Sequence, residues 1–231
     1  MQRIVCRYRM EAAAGSPGQS ELRAHFRGAA DAAGLALSDG RGVLLGPALP
    51  PDATSDAERL VLEFSAPRDP ADVCRRLNAH LPPGVVIENA WVGRPGGTEE
   101  NPVLLDEAVY DVRWHDAPPA QTSLARIRAF LQASSVALTR VREKKVQHLD
   151  ARALTRELRV VALRDGMLHL RMTLSVGPRG SLRPAEALQA LGFTPAPGAL
   201  QIQRIALRSS DRQRPASQPA AARWRGAHRP R

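Results

Sequence analysis

The chain is short of cysteine, of aromatic residues and of long apolar runs, and each shortage closes off a class of function. Its two cysteines, Cys6 and Cys74, fall far apart on a predicted strand and a predicted helix. They make no metal motif, and a pair of small buried thiols is expected rather than a disulfide. Aromatics amount to only 4% of the 231 residues, so the core has to be built from Val, Leu, Ile and Ala. No apolar run approaches the roughly 20 residues that span a bilayer. Residues Met1 to Arg9 alternate like a strand and lack the apolar stretch of a signal peptide. A cytoplasmic protein with no membrane partner is expected.

The usual enzyme signatures are missing too. There is no nucleophile elbow, phosphate-binding Walker loop or dinucleotide fingerprint. The six histidines, His25, His80, His115, His148, His169 and His228, show no metal-like spacing and no accompanying Cys or carboxylate cluster. No cofactor is expected. Asp150 with a histidine such as His148 is the pairing to consider for a metal-free hydrolase or nuclease, but nothing guarantees that two side chains so placed at a strand end converge.

What the chain does have is positive charge, unevenly spread. The net charge is +10. From Arg208 to the C-terminus there are seven arginines and one aspartate, a net +6, so most of the basic character belongs to the tail. With one aromatic, Trp224, among Arg, Pro, Ala, Ser and Gln, residues 209–231 read as a disordered arginine-rich hook for nucleic acid or a mere solubility tag.

Periodicity organises the rest into an α+β chain. Residues 1–92 read as strand (Arg3 to Met10), helix (19–33), two strands (42–46 and 59–64), helix (Asp69 to Leu81) and strand (85–92). After a linker at 93–106, residues 107–208 repeat the order. A strand (108–114) leads to a helix (123–132, with Leu124, Ile127, Phe130 and Leu131 inward), and a hairpin (136–142 with 145–149) follows. A second hairpin (158–163 with 167–174) turns on Asp165-Gly166, before a helix (184–191) and a strand (200–207). The order predicts two tandem ferredoxin-like (βαββαβ) halves.

Three basic or polar groupings stand out. In the hairpin Arg140-Val141-Arg142-Glu143-Lys144-Lys145, alternate positions put Arg140, Arg142 and Lys144 on one face, with Lys145 opening the return strand. That row suits a phosphate backbone, but a defended edge strand is the favoured reading because the strand offers no aromatic for stacking. Asp150 and Arg152 follow it, either as a structural pair or as an anion or partner site. Gly180, Ser181 and Arg183 precede the helix at Pro184, where they serve as a plain helix start or as a phosphate-binding arrangement.

Gly180-Ser181-Leu182-Arg183-Pro184, with Asp150-Ala151-Arg152-Ala153 and Arg156-Glu157-Leu158 upstream, resembles the radical-SAM-linked proteins built on the domain of unknown function DUF2344. Gly46-Pro47-Ala48-Leu49-Pro50 and Ala57-Glu58-Arg59-Leu60 match that family's Gly-Pro-x-Leu-Pro and Ala-Glu-Tyr-Leu stretches. The resemblance runs from about Arg3 to Leu207. The chain departs from the family at Gly18-Gln19-Ser20-Glu21, where members carry Ser-His-Leu-Asp. It departs again at Ser38-Asp39-Gly40-Arg41-Gly42, where they carry an aromatic–proline loop.

Radical-SAM chemistry needs three clustered cysteines, so the chain is not expected to be the radical enzyme. The resemblance implies a non-catalytic accessory protein that docks onto a radical-SAM enzyme or presents its substrate. The alternative is an RNA-binding protein using Arg140, Arg142, Lys145, the Arg183 helix start and the tail.

Overall fold

The computed structural model describes residues 1–11, 17–38, 42–94, 101–142, 145–164, 166–177 and 180–210. Almost all of the arginine-rich tail and parts of the linker lie outside these residues, as do Lys144 and the Asp165 turn position.

Strand β1 (Gln2–Met10) points Ile4, Cys6, Tyr8 and Met10 into a core, as its alternation dictates. Helix α1 (Gln19–Ala32) packs Leu22, Phe26, Ala29 and Ala30 on that core, and Gly34, at φ +64°, ends the helical run. Strands β2 (Val43–Leu45) and β3 (Ala53–Phe64) follow, then helix α2 (Pro70–Asn78) and strand β4 (Val85–Val92). Asp69 caps α2 by accepting from the Asp72 amide at 3.0 Å.

The helix stops three residues before the expected Leu81. The Asn78 side chain turns to clamp β4, donating to the Ile87 carbonyl and accepting from its amide, both at 2.8 Å. β3 begins six residues earlier than its apolar pattern predicts. Ala53 to Ser55 are recruited by parallel pairing with Ile202 to Arg204, a long-range partnership that leaves no local signature.

The second half comprises β5 (Glu107–His115), α3 (Ala120–Gln132), β6 (Ala137–Arg142), β7 (Lys145–Asp150), the single turn α4 (Ala151–Leu154), β8 (Thr155–Arg164), β9 (Met167–Ser175), α5 (Pro184–Ala190) and β10 (Leu200–Arg208). The inward face of α3 is Ser123, Ile127 and Phe130, not the expected set with Leu131, which is 39% exposed. The Ser123 hydroxyl tolerates burial because it donates to the Pro118 carbonyl at 3.0 Å.

The architecture is α+β. One sheet of eight strands runs β4-β1-β3-β10-β5-β9-β8, with β2 also on β3, while β6 and β7 form a separate ribbon. Within residues 2–92 the strand order is β4-β1-β3-β2; within 107–208 it is β10-β5-β9-β8. Both groups are antiparallel throughout, and they meet where β3 and β10 run parallel. Two hydrophobic clusters lie on either side of that seam, and Leu49 packs against both.

Candidate binding cleft at the seam

The seam holds the least expected residue of the interior. Arg204 lies on β10 two positions after Ile202 and so points to the same side, with 0% exposure. Its guanidinium donates to Glu58 Oε1 and Oε2 (2.9 and 3.1 Å), to the Tyr110 hydroxyl (2.9 Å) and to the carbonyls of Pro47 (3.0 Å) and Ala48 (2.7 Å). Burial opposes its charge, but Glu58 and Tyr110 outweigh that and raise its pKa. Burial likewise drives the Tyr110 hydroxyl up, so it stays a neutral hydrogen-bonding group. Residues from β3, β5 and β10 thereby fix the Gly46–Pro50 loop from beneath.

Above that network runs a cleft with two adjoining lobes. One, of about 420 Å³, lies between Gln19 and Arg23 of α1, the 45–50 segment, and Gly177 with Ser181, Leu182 and Arg183. The other, of about 630 Å³, extends over Tyr8, Met10 and Glu58 toward the start of α1. Gly18, which stands at the N-cap of α1, gives that helix no side-chain cap. Two stretches remote in sequence, Gly46-Pro47-Ala48-Leu49-Pro50 and Gly180-Ser181-Leu182-Arg183-Pro184, thus border one cleft.

The Gly180 turn is shaped by sterics. Gly180 adopts φ +131°, and a Cβ there would sit 2.9 Å from Leu154 Cδ2, so only glycine fits. Next to it, the Ser181 carbonyl accepts from Arg140 Nη2 at 2.8 Å. Arg140 also makes a two-point pair with Glu186, Nε to Oε1 at 2.6 Å and Nη2 to Oε2 at 2.5 Å, with both side chains less than one-fifth exposed. Glu186 reaches back to the Arg183 amide at 2.8 Å. Burial pushes the Glu186 carboxyl up, but the hydrogen bonds from Arg140 and the Arg183 amide prevail and its pKa is lowered.

The residues singled out from sequence therefore divide. Ser181 and Arg183 border the cleft, with the Arg183 side chain exposed, and Gly180 opens the turn that carries them. Arg140 stands behind them, holding the turn through Glu186, and is no free member of a cationic row. Arg142 lies opposite the exposed Lys145 in the strand register at the hairpin end.

Asp150 and Arg152 do not pair with each other. The Asp150 carboxylate accepts from the amides of Val136 and Arg152, both 3.0 Å, and of Ala153, 3.3 Å, capping α4. These bonds, the Val136 amide foremost, lower its pKa. Arg152 donates to the Thr155 carbonyl at 3.2 Å and lies over the Phe130 ring at 6.0 Å. His148 Nδ1 is 3.4 Å from the Thr139 hydroxyl, so His148 and Asp150 are turned to different partners.

Cys6 and Cys74 are free thiols, and burial pushes Cys6 up to about 12. Among the described residues, no group of three or more His, Cys, Asp or Glu could hold a metal ion, and no helix is long and apolar enough to cross a membrane. Sequence reasoning missed Arg204, Tyr110 and Arg23. The one available signal was an arginine on the inward register of an otherwise apolar strand.

Comparison with known families finds a match over residues 41–184 to the family described as "Uncharacterized protein conserved in bacteria (DUF2344)". The match begins after most of the 18–42 segment that departs from the family's motifs and ends on Pro184. No curated protein matches. Solved structures similar to the chain include a Cbf5–Nop10–Gar1 complex (TM-score 0.47, 10% identity, 88% of this chain and 48% of that one). Another is an H/ACA RNP bound to a substrate RNA containing 2'-deoxyuridine (TM-score 0.45, 10% identity, 87% and 46%). The archaeal box H/ACA sRNP Nop10–Cbf5 complex is a third (TM-score 0.42, 10% identity, 87% and 46%). The chain spans about half the length of each of these.

Proposed function

Starting from the fact that the chain belongs to the DUF2344 family, we propose that it is a non-catalytic accessory protein that holds a substrate in the seam cleft for a radical-SAM enzyme. One observation carries this reading. The two motif loops that come from separate halves of the sheet border the same cleft, over a buried arginine that fixes one of them in place. Preorganised walls of this kind serve binding. The radical-SAM partner comes from the family resemblance. Reading each half as ferredoxin-like is supported by its strand order, β4-β1-β3-β2 and β10-β5-β9-β8.

A second reading, RNA binding, draws on the seven arginines from Arg208 onward and on the exposed Arg23 and Arg183 at the cleft. It no longer draws on Arg140, whose charge is engaged by Glu186. Purification of the tagged full chain from its native host, without nuclease treatment, tests both. A radical-SAM protein in the eluate is expected. RNA without such a protein favours the second reading, and an eluate holding neither overturns both.

A further inference from the structure

We infer that the smaller lobe of the seam cleft, between α1 and the Ser181–Arg183 turn, binds the phosphate of a nucleotide, either free or at the end of an RNA strand. This rests on the presenting role proposed above, since it names the chemistry of what is presented.

The lobe encloses about 420 Å³, within the range of small-molecule sites. Among the described residues, Arg23 and Arg183 are the charged ones lining it, one from each side, and no carboxylate does. Neither makes an ion pair among the described residues, and both are exposed at the rim. Of the carboxylates near this lobe, Glu58 is engaged by Arg204 and Glu186 by Arg140, while Asp52 acts on the Tyr110 hydroxyl. Glu21 lines only the neighbouring lobe. The one carboxylate that Arg183 feels, Glu186, is shared with Arg140, so two guanidinium forks facing one cavity keep an excess of positive charge that matches a dianion. A phosphate monoester carries close to two charges at neutral pH, whereas a carboxylate carries one.

The remaining lining decides what the phosphate is attached to. Leu45, Pro47, Leu49, Val176 and Leu182 give apolar surface; among the described residues the uncharged polar side chains are Ser181, Gln19, whose amide nitrogen donates to the Gly46 carbonyl at 2.6 Å, and Tyr110, which Arg204 engages. That is poor lining for a hydroxyl-rich sugar phosphate and good lining for the flat face of a base.

Calorimetric titration of the full chain decides it, using a nucleoside monophosphate, the matching nucleoside, and single-stranded RNA with and without a terminal phosphate. Binding of the monophosphate is expected, with the nucleoside at least about tenfold weaker. Arg23→Gln and Arg183→Gln should each weaken the monophosphate by about tenfold with an unchanged thermal midpoint, as both side chains are exposed. A preference for RNA bearing the terminal phosphate over the free nucleotide assigns the strand end as the source; the reverse assigns the free nucleotide. Equal affinity for nucleoside and monophosphate, no binding of either, or insensitivity to both substitutions would overturn the proposal. If phosphate binding fails while the radical-SAM protein still co-purifies, the accessory reading survives without this ligand.

Discussion

Arg204 and Glu58, 146 residues apart, form an ion pair at the join of the two strand groups, with side chains 0% and 3% exposed. A charge so buried is tolerable only because every direction of the guanidinium meets an acceptor. The same contacts hold the Pro47 and Ala48 carbonyls. Stability and the shape of the cleft are therefore coupled through one side chain.

Removing that side chain should be costly. Arg204→Met leaves Glu58 buried and uncompensated, and a loss of about 3–5 kcal/mol is expected from urea unfolding. Adding Glu58→Leu should return a good part of it, because an apolar pair no longer strands a charge. Equal destabilisation in the single and double variants would show that the packing of Arg204, not its charge, is what matters.

Arg140→Gln should cost about 1–3 kcal/mol at neutral pH by stranding the largely buried Glu186. It should also alter the acid limb. The folded-state pKa of Glu186 lies below its unfolded value. Its contribution is therefore complete above the ordinary carboxylate range, near pH 4, and is lost as pH falls through the lower folded value. Stability measured against pH should fall less steeply below that range in the variant. Parallel curves for the two proteins would contradict the assigned role.

Gly180→Ala should destabilise by about 1–3 kcal/mol, from strain at φ +131° and from the contact with Leu154. Trimming the neighbour in Leu154→Ala should relieve the clash and leave the backbone strain. Thermal unfolding of the two single variants and the double separates the two contributions through their coupling.

Much of the fold was legible because its periodicity is local. The alternation of β1, the Leu22–Phe26–Ala30 stripe of α1 and the Asp69-Pro70 helix start all appear where expected. The start of β3 was not legible, since Ala53 to Ser55 become strand through pairing with residues about 150 positions away. The end of α2 was set by one asparagine reaching across to β4. For the candidate site, sequence located the Gly180–Arg183 turn and the Gly46–Pro50 loop but not their shared cleft. Arg140 read as a free cation, because Glu186 lies 46 residues on. A carboxylate partner at that distance is a tertiary fact, with no spacing rule to announce it.

The most direct test of the seam cleft as a binding site is to identify what stays bound to the protein purified from its native host. Denaturing extraction and mass spectrometry should be run on the wild type beside Ala48→Trp. Ala48 is exposed and borders both lobes, so the indole fills the cleft without disturbing either core. The account predicts a small molecule or nucleotide released from the wild type and missing from the variant. The same species recovered in the same amount from both would contradict it.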